Sequence, residues 1–379
     1  MKKFKIISFF VLICLASSIA SYFYFRQTNF SSSNLLRPRK ATETKIKELP
    51  LLQYSIENLA KKEFVAKKPI KIEEIISKNL EQKTYVLLFS YESQGKNISG
   101  ALNLKISKNS TQEPVVVMIR GFVPLEEYFF GAGTQSAASV LADNGYVTLS
   151  PDFLGFGASD SEPVNTWEAR FIKVVNVIDL IKTIQAFPEI DLSTLPSLPI
   201  KKISLDANKI GIWAHSNGGQ IAVSTLEVLG SNLPTTLWAP VLAPFPYSIL
   251  YFTDENADEG KEARKYLSQF EEDYDVFDFS LTKHLDRLNG PIQIQHGTND
   301  DSALVSWTEE FLTKIDLENK TREINNSATD SSQSALTKKE EIKIDFFKYP
   351  GGDHNLQPNW NEAVEKDLLF FKKNLLNKI

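Results

Sequence analysis

Ser216 lies in the segment WAHSNGGQ, residues 213–220, which joins a short apolar run to an amphipathic pattern. A serine hydroxyl becomes a nucleophile only when a base accepts its proton, and a strained turn between a strand and a helix exposes it to that base. Such a turn needs small neighbours, here Ala214, Gly218 and Gly219. These residue types predict that Ser216 is a nucleophile, whereas an ordinary tight turn is the alternative.

The chain contains only four histidines, so a histidine base has few candidates. His354 lies in the glycine-rich segment YPGGDHNL, between the last apolar run and the last helical pattern. His215 adjoins Ser216, and adjacent side chains in such a turn point apart, which favours a packing role for His215. His296 ends an apolar run and is expected to brace the next loop, and His284 is expected on a solvated helix face. We therefore predict that His354 is the general base.

A carboxylate must orient this histidine and stabilise its protonated form. Asp300 and Asp301 both lie in the segment HGTNDDSALVSW, directly after the apolar run that precedes the last one. Asp353 is adjacent to His354 and is therefore too close along the chain to reach around the imidazole ring. The residues alone leave Asp300 and Asp301 open, and either one gives the chain order serine, aspartate, histidine that α/β sheets use for such a triad.

The oxygen that becomes negative during attack on a carbonyl needs two N–H donors. One is expected from the backbone of Asn217, directly after the nucleophile, where the start of a helix also directs N–H groups toward the site. The other is expected from the loop after an early strand, here RGFVP, in which Phe122 is the predicted donor. Each preorganised donor of this kind is typically worth about 3 kcal/mol.

The composition excludes several classes of protein. The chain has 379 residues, a formal net charge of −5 and one cysteine, Cys14, so no disulfide framework exists within it. Because no basic run occurs, we expect no nucleic-acid partner. CxxC and HExxH spacings are absent from the sequence, so we expect neither a metal site nor a cofactor. The predicted partner is a small substrate, and the oligomeric state is left open.

Residues 1–26 begin with lysines and continue in an apolar run from Ile6 to Phe25. This run is close to the about 20 residues that span a bilayer, and its YFYF cluster is typical of an interfacial anchor. The segment also fits a secretory signal peptide, with Ser18 and Ala20 at a cleavage site. We predict that the globular part is exported, either anchored to a membrane or secreted after cleavage, and that residues 27–49 form a linker.

Short apolar runs alternate with helical patterns over residues 114–379. The runs lack polar alternation, which is typical of parallel strands covered on both faces. The alternation predicts an α/β fold with a mostly parallel, doubly wound sheet and helices on both faces, and ligands bind such sheets beyond the carboxyl ends of the strands. The runs are PVVVMI, GYVTLSPD, KIGIWAH, TTLWAPV, PIQIQHG and IDFFKYPG.

Three segments interrupt or precede this alternation. Residues 50–113 contain two β-like runs, TYVLLFSYES and ISGALNLKIS, which predict a hairpin within an N-terminal extension. Residues 246–289 are acidic and aromatic, and we expect either a helical lid over the strand ends or a surface excursion. Residues 318–339 are polar and low in complexity, which predicts a flexible loop.

Five stretches together resemble the α/β-hydrolase superfamily, and most closely the catalytic domain of the prolyl oligopeptidase family of serine peptidases. They are VVVMIRGF, GYVTLSPDFLGFGASD, GIWAHSNGG, IQIQHGTNDDSALVSW and FFKYPGGDHNL. The resemblance covers about residues 114–379 and implies that Ser216 occupies the family's nucleophile elbow. The family's pattern of His-Gly, two residues and Asp falls on Asp300, and its Asp-His pair falls on His354.

The chain departs from that family in two places. Arg120 and Gly121 stand where the first oxyanion strand normally ends in His-Gly or a tyrosine-containing variant. The region before residue 114 is too short for the family's usual β-propeller, whose blades take about 40–50 residues each. The resemblance implies a serine peptidase that works through an acyl-enzyme on small substrates. A carboxylesterase of the same fold is the main alternative, and an inactive cell-surface binding protein is the less favoured one.

Overall fold

The computed structural model describes residues 47–106, 112–253, 258–329 and 338–376. The predicted anchor or signal peptide, residues 1–26, lies outside the described residues, as does most of the predicted linker. None of the helices in the described part of the chain is both long enough and apolar enough to cross a bilayer.

The described residues contain a mixed sheet of ten strands. These are β1 (Lys71–Asn79), β2 (Thr84–Ser93), β3 (Lys96–Lys105), β4 (Glu113–Ile119), β5 (Val147–Pro151), β6 (Glu189–Asp191), β7 (Lys202–His215), β8 (Thr235–Trp238), β9 (Pro291–Gly297) and β10 (Lys343–Tyr349). The order is β1-β2-β3-β5-β4-β7-β8-β9-β10, and β6 pairs with β7. The six strands from β5 to β10 in this order pair in parallel, and they are the six predicted apolar runs. The predicted mostly parallel α/β sheet is confirmed.

Helices pack on both faces of this sheet. Within the described residues the α-helices are α1 (Ile56–Lys61), α2 (Gln135–Asp143), α3 (Thr166–Ala186), α4 (Asn217–Leu229), α5 (Tyr247–Thr253), α6 (Lys261–Glu271), α7 (Val305–Thr329) and α8 (Trp360–Phe371). Short 3₁₀ turns occupy Pro50–Tyr54, Leu125–Glu127, Val276–Phe279 and Leu285–Arg287, and a π-helical turn occupies Lys372–Leu376. The five predicted helical patterns correspond to α2, α3, α4, α7 and α8.

Strand β4 shows why the predicted runs lack polar alternation. Val115 and Val117 belong to the core cluster that also contains the apolar side chains of α3 and α4. Val116 and Met118, which point to the opposite face, belong to a second cluster with side chains of α2 and α8. Because both faces are covered, every position of the strand between Pro114 and Ile119 is buried and apolar.

The N-terminal extension joins the same sheet. β2 and β3 form the predicted hairpin, which turns at Gln94 and Gly95 with φ of 51° and 77°. Two positive φ values suit a type I′ turn, which matches the right-handed twist of the flanking strands. β3 then pairs antiparallel with β5, so residues of the extension and of the α/β region share one sheet.

The insertion at residues 246–289 contains α5, α6 and two of the 3₁₀ turns. It packs on α3 through an aromatic cluster, in which the rings of Phe171 and Phe279 stack with centroids 4.6 Å apart. Phe245 and Phe270 contact the same Phe171 ring edge-on or tilted. The insertion is therefore fixed to the sheet-covering helix at its base, and its function as a lid stays a prediction.

The predicted flexible loop at residues 318–339 is wrong for residues 318–329, which belong to α7. This part of the helix is attached to its neighbours by polar contacts and not by an apolar stripe. The buried Arg322 side chain donates to the backbone carbonyls of Leu285, Leu288 and Glu340. Asn319 exchanges two hydrogen bonds with the backbone of Ile342. Such contacts leave no hydrophobic periodicity in the sequence, and residues 330–337 lie outside the described residues.

Candidate active site

Ser216 occupies the turn between β7 and α4, as its sequence context predicts. Its backbone has φ 56° and ψ −126°, a conformation that is strained for a residue with a side chain. Ser216 N–H donates to Trp238 O at 2.9 Å, and Ser216 O accepts from Val241 N–H at 3.0 Å. The surrounding backbone thus holds the serine at the carboxyl end of β7, where a nucleophile elbow of an α/β sheet lies.

Close packing explains the glycines of the turn. A Cβ atom on Gly218 would lie 2.2 Å from the carbonyl oxygen of Ile119, and one on Gly219 would lie 2.4 Å from Pro240 Cβ. Neither neighbour can move freely, because the first is backbone of β4 and the second is a proline ring. Small residues are therefore required here for α4 to start so close to the sheet.

The loop after β4 lies directly against the serine. A Cβ atom on Gly121 would be 2.7 Å from Ser216 Cβ and 3.2 Å from Ser216 Oγ. Arg120 Nη1 donates to Gly121 O at 3.0 Å, which fixes the plane of the peptide that carries the Phe122 N–H. Within the described residues, the N–H groups of Phe122 and Asn217 donate to no protein acceptor. Both predicted donors are therefore free to bind an oxyanion.

Arg120 is held by groups that the sequence did not reveal. Its side chain is buried, and Nη2 donates to Asp152 O at 2.9 Å. The guanidinium carbon lies 4.2 Å from the ring centre of Phe156 and 4.9 Å from that of Tyr128. Tyr128 also donates its hydroxyl proton to the Asp152 carboxylate. The cation is thus fixed on three sides, and through its bond to Gly121 O it positions the predicted oxyanion loop.

The structure brings His354 and Asp300 together. His354 Nδ1 donates to Asp300 Oδ1 at 3.0 Å and to Oδ2 at 2.9 Å. Asp300 Oδ1 also accepts the backbone N–H groups of Ser302 and Ala303. Because Nδ1 carries the hydrogen in this arrangement, Nε2 is the ring atom left to act as a base.

Asp300 has a second histidine partner that sequence reasoning missed. His296 Nε2 lies 2.8 Å from Ala303 O and 3.2 Å from Asp300 Oδ2, so that nitrogen carries a hydrogen. Burial raises the pKa of Asp300, but hydrogen bonds from His296, His354 and the Ala303 N–H outweigh it and hold the pKa below its ordinary value. Asp300 is therefore ionised. The contacts of His296 with Ala303 and with Thr308 Oγ1 confirm that it braces the loop after β9.

His215 connects the turn of Ser216 to the loop that carries His354. Its Nε2 donates to His354 O at 2.9 Å, and the two imidazole rings lie 4.8 Å apart. Burial, together with repulsion from His354, lowers the pKa of His215 to about 4, so it stays neutral. The loop carrying His354 therefore lies beside the turn of Ser216. Among the described residues no hydrogen bond joins Ser216 Oγ to His354, a bond that in many hydrolases forms only when substrate binds.

The other aspartates and the remaining histidine that the sequence offered as candidates lie away from the Asp300–His354 pair or make different contacts. Asp301 is exposed, and among the described residues its carboxylate accepts a side-chain hydrogen bond from the Ser302 hydroxyl alone. Asp353 closes its own loop by accepting the N–H groups of Asn355 and Gln357. His284 was predicted on a solvated helix face, but the structure buries its side chain within the insertion, and this burial lowers its pKa. The prediction failed because the polar neighbours of His284 along the chain conceal its packing against other elements.

A cavity of about 910 Å³ adjoins the serine turn. Its lining includes Asn217 on α4 and several side chains from the 246–289 insertion, such as Ile249 and Phe279. This volume falls within the range of about 300–1,000 Å³ that small-molecule sites occupy. Among the described residues, no cluster of three or more His, Cys, Asp or Glu side chains is arranged to hold a metal ion.

No protein-family model matches the chain, and a search of curated proteins gives no match. Among solved structures, it is similar to the acetyl xylan esterase from Paenibacillus sp. R4, with a TM-score of 0.57 and 14% identity over 85% of this chain and 99% of that one. Acetyl xylan esterase 1 from Thermoanaerobacterium sp. JW/SL YS485 gives a TM-score of 0.53 and 12% identity over 85% and 93% of the two chains.

Dipeptidyl peptidase 4 of Porphyromonas gingivalis gives a TM-score of 0.51 and 18% identity, over 77% of this chain but only 36% of that one. These similarities, together with the sheet order and the position of the serine turn, show that the chain has the α/β-hydrolase fold. The fold implied by the sequence resemblance is confirmed.

Proposed function

We propose that the chain is a serine hydrolase that cleaves an ester or peptide bond of a small substrate through an acyl-enzyme. The observation that carries this proposal is the hydrogen bond from His354, in the loop next to the strained turn of Ser216, to the Asp300 carboxylate. The positive φ of Ser216 and the N–H groups of Asn217 and Phe122, which have no acceptor among the described residues, support the same function.

In the proposed mechanism, Ser216 Oγ attacks the substrate carbonyl carbon while its proton moves to His354 Nε2. The carbonyl oxygen takes the negative charge and accepts hydrogen bonds from the N–H groups of Asn217 and Phe122. His354 then gives the proton to the departing oxygen or nitrogen, which leaves Ser216 acylated. Water attacks this ester by the same route and restores the free serine. Asp300 stays ionised throughout and stabilises the protonated His354 ring.

The share of each similar structure that the chain matches supports an ester over a peptide as the first candidate bond. The chain spans 99% and 93% of the two acetyl xylan esterases but only 36% of the dipeptidyl peptidase. The parts of the peptidase that it does not span have no counterpart among the described residues. A short peptide is the second candidate, favoured by the motif HGTNDD in the loop of Asp300 and by the pair Asp353-His354.

We also propose that the protein is exported. The lysines and the apolar run of residues 1–26 support this proposal, either as an uncleaved membrane anchor or as a signal peptide removed on export. Both forms place the hydrolase outside the cytoplasm, in contact with extracellular or periplasmic substrates.

A substrate panel tests the proposed activity. Residues 27–379 are purified and assayed with p-nitrophenyl esters of increasing acyl length and with aminoacyl and prolyl p-nitroanilides. The proposal predicts turnover of at least one class and its loss in Ser216→Ala. Turnover of anilides but not esters reverses the order of the two candidate bonds. Equal activity in wild type and Ser216→Ala contradicts the proposed nucleophile, and the absence of all turnover favours the inactive binding protein.

A further inference from the structure

The cavity beside Ser216 lies between helix α3, helix α4 and the 246–289 insertion. Asn217 and Gln220, one turn apart on α4, both line it. Gln220 follows Ser216 by four residues, which is about 6 Å along a helix axis. A substrate whose carbonyl carbon lies at Ser216 Oγ can therefore reach Gln220 with a side chain of only a few atoms.

Two cations of α3 line the same cavity. Arg170 Nη2 donates to Gln220 Oε1 at 2.6 Å, and Lys173 lies one turn further along α3. Among the described residues no carboxylate forms an ion pair with either one. Burial lowers the pKa of Arg170 to about 10 and, with repulsion from Arg120 and Arg170, that of Lys173 to about 8. Both side chains are half-buried, and a cation that loses part of its hydration without gaining a carboxylate partner is costly to the fold.

The acidic residues of the cavity do not neutralise these cations. The Glu162 and Glu262 side chains are exposed to solvent at the rim. The Asp258 carboxylate accepts the N–H groups of Gly260 and Glu262 at the start of α6. Glu162 does favour the charged form of Lys173, but it forms no ion pair with it. The inner part of the cavity thus keeps two positive charges that a bound anion would pair.

The proposed mechanism puts this cavity on the acyl side of the scissile bond. Its lining includes Asn217, the predicted oxyanion donor, but neither His354 nor Asp300. Since His354 protonates the departing group in the proposed mechanism, that group lies next to His354. The part of the substrate that stays on Ser216 is then the part that faces Arg170 and Lys173.

We propose that Arg170 and Lys173 bind a carboxylate on the acyl part of the substrate, so that the natural substrate is an ester or amide of an acid bearing a second negative charge. The inference rests on the proposed function for its orientation, because the acyl side is defined by Ser216 and His354. The planar guanidinium of Arg170 suits the two oxygens of a carboxylate, while Lys173 supplies a second charge.

Matched substrates test this proposal. The α-methyl esters and the p-nitroanilides of N-acetylglutamate and N-acetylglutamine have nearly the same shape but differ in one charge. We expect kcat/KM to be about 10- to 100-fold higher for the glutamate compounds, as one charged hydrogen-bonded contact implies. Arg170→Gln and Lys173→Gln should each reduce this ratio toward one. The control Lys182→Gln, also on α3 but outside the cavity, should leave the ratio unchanged.

Binding without turnover separates this proposal from the proposed function. In Ser216→Ala, N-acetylglutamate α-methyl ester should raise Tm more than the glutamine ester does, and Arg170→Gln in the same background should remove the difference. Equal Tm shifts, or equal kcat/KM for the two charges in wild type, overturn the carboxylate site. A charge-dependent Tm shift in a protein that turns over nothing keeps the carboxylate site and contradicts the hydrolase.

Discussion

Replacing Arg120 by methionine tests whether this buried cation positions the oxyanion loop. The change removes the donors to Gly121 O and Asp152 O and the guanidinium that lies over Phe156, but it keeps an unbranched apolar side chain. Without its bond to Gly121 O, the peptide carrying the Phe122 N–H is free to rotate. Loss of one oxyanion donor costs about 3 kcal/mol, so kcat should fall by about 100-fold or more.

The pattern of kinetic constants decides between positioning and mere stabilisation. An oxyanion donor acts in the transition state, so Arg120→Met should lower kcat and kcat/KM alike and leave KM nearly unchanged. Arg120→Lys retains the charge, but one ammonium group cannot donate to both carbonyl oxygens as the guanidinium does. This variant should therefore recover only part of the wild-type kcat. A thermal melt of each variant shows how much folded protein the assay contains. A folded Arg120→Met protein with wild-type kcat, or with a changed KM alone, refutes the positioning role.

Three further predictions concern other parts of the chain. Asp300→Ala should lower kcat/KM by about 10³-fold or more, whereas Asp301→Ala should stay within about tenfold, and steady-state kinetics showing the reverse order would exchange their roles. Burial raises the pKa of the Glu227 carboxyl on α4 well above its ordinary value, so the fold favours the neutral, protonated form. The contribution of this group to stability is complete below the pKa of the unfolded chain and is lost as pH rises through the pKa of the folded chain. Glu227→Gln should therefore gain more in Tm, relative to wild type, at pH 8 than at pH 5, and an equal difference at both pH values contradicts this. Deleting residues 1–26 should give an active protein absent from the membrane fraction, while a full-length chain that already fractionates as soluble with a shortened N-terminus supports cleavage.

The buried strands and the loops after them could be predicted from sequence because their signals are local. Six apolar runs without polar alternation follow directly from helices on both faces, as the two clusters around β4 show. Ser216 could be predicted from the glycines that its turn requires. Asp300 and His354 could be predicted because each lies in a loop directly after one of the apolar runs. Close packing and strand order determine these strands and loops, and both restrict which residue types occur in short stretches of the sequence.

The remaining features depend on residues that meet only in the fold. Residues 318–329 contain no apolar stripe, because Arg322 holds that part of α7 through backbone carbonyls far away in sequence. His296 contacts Asp300 across its own loop, and no spacing rule marks it as a partner. Arg170 lies among ordinary helix residues, and only the position of α4 shows that it lines a cavity with Asn217 and Gln220.

The most direct test of the central claim is the site of covalent labelling by a fluorophosphonate, which reacts only with an activated serine. Residues 27–379 are treated with the probe, digested, and mapped by mass spectrometry. We predict one adduct, on Ser216, with none in Ser216→Ala and much slower labelling in His354→Ala than in the control His284→Ala. No adduct on the wild-type protein, an adduct on another serine, or labelling that is unaffected in His354→Ala would contradict the proposed catalytic site.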